Sequence, residues 1–186
     1  MPVRGLSMKG VVFDILRDMV EEQFGLAGWN AVLEQAGSEG LYLSTQTYPD
    51  AELLGLVAAA SEVTGKPVDE LVFAFGEFMV KEFYARFPDF FDNASGLINF
   101  LVSIDRIVHV EVRKLYPDAA LPSFTYQGGS IDEITMNYRS PRKLCRLAEG
   151  LIAGSARHFG EQYQLQHDPC MHQGADCCSL HIKLER

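Results

Sequence analysis

A change in the spacing of the apolar residues constrains this chain more than any other feature. Up to about residue 115 they recur every three to four positions, the period of an amphipathic helix. After Pro122 they recur mostly every second position, the period of a half-buried strand, with one further helix in between. In the first part Val11, Val12, Ile15, Leu16, Met19 and Val20 predict a helix over 8–25 that Gly25 stops, and a second helix over 27–35. Tyr48-Pro49-Asp50 opens a helix through Ala60, and Pro67-Val68-Asp69-Glu70 opens another to about Phe87. Leu97, Phe100, Leu101, Ile104, Val108, Val112 and Leu115 mark one more over 97–115. In the second part Ile134, Met136 and Tyr138 alternate with Thr135, Asn137 and Arg139, as in a strand. Ser140-Pro141 reads as the N-cap and first turn of a helix ending at Gly160, and 163–165 with 180–184 predict a terminal hairpin. Helices first and strands afterwards argue for an α+β fold, a helical lobe packed on a lobe with a small antiparallel sheet.

With 186 residues, 47% of them hydrophobic, the chain can bury one sizeable core or two lobes sharing a boundary near 60–70 or 117–130. A net charge of -9 argues against nucleic acid or anionic lipid as partners, because both are held by clustered Lys and Arg. The exception is local: Arg139, Arg142, Lys143 and Arg146 make a basic cluster suited to a small anionic ligand. No run approaches the roughly 18 apolar residues of a membrane span, and the first seven residues are too short and polar for a signal peptide. The expected location is therefore the cytoplasm. In that reducing compartment Cys145, Cys170, Cys177 and Cys178 are metal ligands or free thiols rather than disulfide partners.

Three groups of residues carry possible chemistry. His109 falls at the margin of the 97–115 apolar stripe, on the side of Asp105, Val112 and Tyr116, where it can face a groove; periodicity alone does not make it a ligand and favours a solvent-edge histidine. Tyr138-Arg139-Ser140-Pro141-Arg142 sets two hydroxyls and a guanidinium at the expected helix start, an arrangement that can hold a carboxylate or simply cap the helix. Cys145, the segment His167-Asp168-Pro169-Cys170 and the pair Cys177-Cys178 supply thiolates and an imidazole from one helix and one hairpin. Such donors can close a zinc tetrahedron, and buried thiols are the alternative.

Taken in order, these residues carry a resemblance. Met8-Lys9-Gly10-Val11-Val12-Phe13, Glu22-Gln23-Phe24-Gly25, Trp29, His109-Val110-Glu111-Val112, Leu115-Tyr116-Pro117 and the Tyr-x-Ser-x-Arg of 138–142 resemble the haem nitric oxide/oxygen binding (H-NOX) family from residue 8 to the C-terminus, leaving 1–7 as extra residues. The resemblance implies a single domain over 8–186, with a helical lobe over about 8–65, a haem-ligating α+β lobe over about 66–186, and haem b between them. It further implies His109 as the iron ligand, Tyr138, Ser140 and Arg142 as holders of the haem propionates, and Pro122 as a residue packed against the porphyrin. Oxygen-binding members carry a tyrosine at the position of Leu147. With Val12, Leu16, Met79, Phe83 and Leu151 as the other wall residues, no donor faces a bound gas, so nitric oxide and carbon monoxide are expected at ferrous iron and oxygen is not. Some bacterial members are similar in the cysteine region, which implies Cys145, His167, Cys170 and Cys178 as zinc ligands. Cys178 is preferred over Cys177 because adjacent strand residues point to opposite faces. A separate partner is expected, either a histidine kinase or a diguanylate cyclase or phosphodiesterase. No nucleophile–base pair or paired carboxylates suggest an enzyme. The rival reading is a haem-free regulatory domain, similar to 4-vinyl-reductase-like domains, that binds an organic small molecule and keeps a structural zinc.

Overall fold

The computed structural model describes residues 6–117 and 119–185; residues 1–5 of the extra N-terminal stretch lie outside it. Helix α1 (Gly10–Ala36) is interrupted where Gly25 leaves helical geometry at φ 71°, so the two helices expected over 8–35 meet at that residue. Helices α2 (Asp50–Thr64) and α3 (Val68–Arg86) follow, each started by a proline just before its first residue. The helix expected to begin at residue 8 begins instead at Gly10. Strand β1 (Ser7–Lys9) pairs antiparallel with β2 (Thr47–Pro49) and consumes Met8 and Lys9. Only glycine fits at the junction, because a Cβ on Gly10 would lie 2.0 Å from the carbonyl oxygen of Leu43.

After the short α4 (Asp89–Asp92), the predicted helix over 97–115 is divided. Helix α5 (Leu97–Ser103) passes through a π-helical turn (Ile104–Val108) into α6 (His109–Leu115). The second half is a four-stranded antiparallel sheet in the order β3 (Ser123–Gln127), β4 (Glu133–Arg139), β6 (Cys178–Glu185), β5 (Gln162–His167), with α7 (Cys145–Phe159) between β4 and β5 in sequence. Register sets Ile134, Met136 and Tyr138 opposite Ile182, Leu180 and Cys178, and all six are buried, so the two central strands bury one face.

Two apolar clusters result. The first joins α1, α2 and most of α3, and the second joins the end of α3 with α5, α7 and the sheet face. Phe83 and Leu151 pack against both and mark the seam. Helices α3 and α7 cross with their backbones almost touching, and Gly76, Gly150 and Gly154 leave room for the facing helix's carbonyls of Leu147, Phe73 and Glu77.

The Ser140-Pro141 helix start is a correction. Helix α7 begins at Cys145, five residues later. The Ser140 Oγ instead accepts the amide of Arg142, its carbonyl accepts the amide of Lys143, and Lys143 adopts φ 51°. This local side-chain turn outcompetes the helix over 140–144. The Tyr138–Arg142 corner therefore lies on a turn, and no helix N-terminus supplies it with positive charge.

Candidate functional site

His109 opens α6 and is buried, with 8% of its surface exposed. Its Nδ1 lies 3.3 Å from the Asp105 carboxylate one turn earlier, and its ring faces Phe124 of β3 at 5.6 Å. Burial lowers its pKa despite the carboxylate, so the imidazole is neutral near pH 7. Asp105 holds the proton on Nδ1 and leaves the Nε2 lone pair outward, making no hydrogen bond among the described residues. A buried, oriented, neutral imidazole with an open nitrogen is the donor that a haem iron takes.

The corner residues converge on the same side of the sheet. Phe124 packs on Tyr138 at 5.7 Å, which connects the His109 ring to the corner through one aromatic side chain. Tyr138 is buried, and its hydroxyl accepts the amide of Leu144 at 3.0 Å, which leaves its own proton to donate. Desolvation raises its pKa and keeps that proton in place. Arg142 Nε lies 2.5 Å from Asp50 Oδ2, and its two terminal nitrogens donate to the carbonyls of Ala120 and Ser7. Three of five guanidinium protons are thus engaged with the protein, and two are left for an anion. The donor set fits carboxylates at this edge.

Of the wall residues, Leu16 and Met79 belong to the first apolar cluster, and Val12, Phe83, Leu147 and Leu151 pack against it. All six thus line or join the first cluster, and Phe83 and Leu151 touch the second as well. Pro122 is half-buried one residue ahead of β3 and is not among the residues packed against the first cluster.

The sulfur-rich group forms a second centre. One donor atom from each of Cys145, His167, Cys170 and Cys178 falls in a group whose members all lie within 4.8 Å of one another. Cys170 Sγ is 3.9 Å from Cys145 Sγ and 3.8 Å from Cys178 Sγ. Zinc–sulfur bonds of about 2.3 Å give a tetrahedron with edges of about 3.8 Å, so these separations suit one ion. His167 Nε2 is buried with no partner, while its Nδ1 sits 2.5 Å from Glu149, a buried carboxylate paired with Arg146. An orphaned imidazole nitrogen backed by a carboxylate is the usual setting of a metal-bound histidine. Desolvation first, and then the neighbouring thiols, push Cys145 up to about 12, and burial raises Cys178 as well; a divalent cation would reverse both. Cys177 is half-buried and outside the group.

Sequence reasoning passed over Asp50, Asp105 and Glu149 as site residues. Asp105 was accessible to it, since it stands four residues before His109 on one helix face. Asp50 and Glu149 gave no such signal, because their partners are distant in sequence.

Comparison with known proteins bears on this geometry. The haem-NO-binding family matches residues 9–167. Soluble guanylate cyclase 89Db of Drosophila melanogaster is 30% identical over 139 residues, which is 73% of this chain and 20% of that protein. Soluble guanylate cyclase gcy-31 of Caenorhabditis elegans is 27% identical over 142 residues, with the same coverage of 73% and 20%. The chain thus spans about a fifth of the length of these curated relatives. Among solved structures, an H-NOX protein from S. oneidensis in the Fe(II)NO ligation state aligns with a TM-score of 0.89 at 37% identity, covering 96% of this chain and 100% of that one. The Fe(II) unliganded H-NOX protein from K. algicida aligns with a TM-score of 0.87 at 30% identity, covering 96% and 97%.

Proposed function

Because the chain belongs to the haem-NO-binding family, whose sensor fold it shares over nearly its whole length, we propose that it binds haem b through His109 and reports the binding of nitric oxide. The observation that carries this reading is the buried neutral imidazole of His109, fixed by Asp105 and open at Nε2. When bound, the haem supplies a ferrous iron with one position for a diatomic gas. Everything else falls to the protein. Asp105 orients the ligating ring, Phe124 packs against its face, and Tyr138, Ser140 and Arg142 hold the propionates. Pro122 would pack against the porphyrin. The wall of Val12, Leu16, Met79, Phe83, Leu147 and Leu151 excludes water and offers no hydrogen-bond donor, which favours nitric oxide and carbon monoxide over the strongly polarised oxygen ligand.

The response is a shift of the helix that carries His109 relative to the N-terminal lobe, read by a separate signalling protein of the histidine kinase or cyclic-di-GMP class. The linkage is reciprocal, so the partner's affinity differs between the gas-free and gas-bound forms. The chain itself senses and does not catalyse. The single-domain reading over 8–186 fits two lobes that share Phe83 and Leu151. We also assign a structural zinc to Cys145, His167, Cys170 and Cys178, on the strength of the orphaned His167 nitrogen. No helix among the described residues is long and apolar enough to cross a membrane.

The decisive experiment replaces His109 with glycine. The ferrous protein loses the spectrum of histidine-ligated haem, and added imidazole restores it. A variant whose ferrous spectrum matches the unmodified protein without imidazole would remove His109 from the iron, and a colourless protein after haem supplementation would favour the haem-free reading.

A further inference from the structure

The π-helical turn immediately before His109 has an identifiable cause. In a regular α-helix the carbonyl of Leu101 accepts the amide of Asp105. Here the hydroxyl of Tyr126, reaching across from β3, takes that place: it donates to the Leu101 carbonyl at 2.7 Å, which the amide of Ile104 also reaches, and it lies beside the backbone of Asp105. A side chain inserted into the hydrogen-bond ladder makes the backbone wait one residue before closing its next bond. The amide of His109 accordingly donates to the carbonyl of Ile104, five residues back, where an α-helix would use Asp105.

Strand β3 meets the helix at two points on one strand face. Phe124 and Tyr126 are two residues apart, a rise of about 6.6 Å along a strand, and both side chains meet the helix, one at the His109 ring and the other at the Leu101 carbonyl. Phe124 lies against the His109 ring while Tyr126 holds the carbonyl of Leu101, one turn before Asp105, whose carboxylate holds that ring. Burial raises the Tyr126 hydroxyl to about 12, so it remains protonated and able to donate.

We infer that Tyr126 is a positioning residue for the iron ligand, its inserted hydroxyl setting the helical register in which His109 presents Nε2. The inference rests on His109 as the ligand. One residue of register is about 100° of rotation about the helix axis and 1.5 Å along it, enough to turn the imidazole away from any fixed iron position. Without the hydroxyl, Asp105 and Leu101 re-pair, the wide turn closes to α geometry, and His109 rotates.

The test is Tyr126→Phe, which keeps the ring and removes the hydroxyl. In the ferrous protein the iron–histidine stretching band shifts, and a larger fraction of the nitric oxide complex has lost the histidine. In a His109→Gly background supplied with imidazole, the same substitution leaves the spectrum unchanged, because free imidazole is not tethered to the helix. A change there would mean general damage to the pocket and would overturn the positioning role, as would an unshifted band in the single variant. Backbone NMR of the diamagnetic carbon monoxide complex reads the register directly. The unmodified protein gives contacts between the Tyr126 hydroxyl and the Asp105 amide, whose absence would also refute the inference even if the variant does not fold. The variant gives i to i+4 contacts over 104–109, and persistence of the wide turn would count against the claim. Should His109→Gly retain the native spectrum, the haem-ligand reading fails, and the NMR result still decides the register.

Discussion

His109 is held neutral because the protein removes it from water faster than Asp105 can compensate. A histidine whose folded pKa lies below its unfolded value favours folding at pH above the unfolded value, near 6.5, and loses that contribution as pH falls through the folded value. In haem-free protein the melting temperature should therefore fall on acidification from pH 7.5 to 5, and His109→Asn should flatten that dependence; equal slopes in differential scanning calorimetry would show that another group titrates. Asp105 is one helical turn from His109, which is why a sequence scan could reach the pair. The inserted hydroxyl of Tyr126 was beyond such a scan. Phe124-Thr125-Tyr126 does alternate before Gly128-Gly129, a usable strand signal, but nothing local says that the tyrosine ends inside a helix 25 residues away.

Long periodic elements were the most legible, and their ends and interruptions the least. The α3–α7 crossing illustrates why, since it depends on glycines whose purpose only the facing helix reveals. A Cβ on Gly150 would sit 2.1 Å from the Phe73 carbonyl oxygen, and one on Gly76 2.5 Å from that of Leu147. Gly150→Ala must part the helices and should cost about 1–3 kcal/mol in urea unfolding, as overpacking usually does. Gly55 is also helical, yet it meets open space, and Gly55→Ala should instead stabilise by about 0.5–1 kcal/mol. Opposite signs from two identical substitutions would separate packing from propensity. At the terminal hairpin, Cys178 faces the sulfur group from the buried side of β6, and Cys177 lies outside it. Purified protein should carry about one zinc per chain by the four-ligand stoichiometry of such sites, lost in Cys178→Ser and kept in Cys177→Ser by metal analysis.

At the scale of the whole molecule, Asp50 and Arg142 connect α2 of the helical lobe to the corner after β4 across 92 residues of sequence. Both side chains are about one-tenth exposed, and the guanidinium also reaches Ser7 and Ala120, so a single cation gathers three separate segments. Removing one partner of a buried pair leaves the other uncompensated. Asp50→Ala should therefore lower stability by about 3–5 kcal/mol in chemical denaturation, far more than loss of an exposed pair such as Lys81–Glu22.

The amino-acid sequence alone determined which segments are helical or extended, which faces are apolar, and which residue types could bind iron, carboxylates and a soft metal. These are properties of spacing, and spacing acts within a few residues. Only the tertiary structure decided that Ser140 begins a turn, that Arg142 meets Asp50, that Glu149 backs His167, and that a tyrosine from β3 reaches the carbonyl of Leu101 in the helix leading to His109. Each is a pairing between groups that share no local pattern, fixed by which backbones pack together and by how many donors and acceptors must be satisfied once water is excluded.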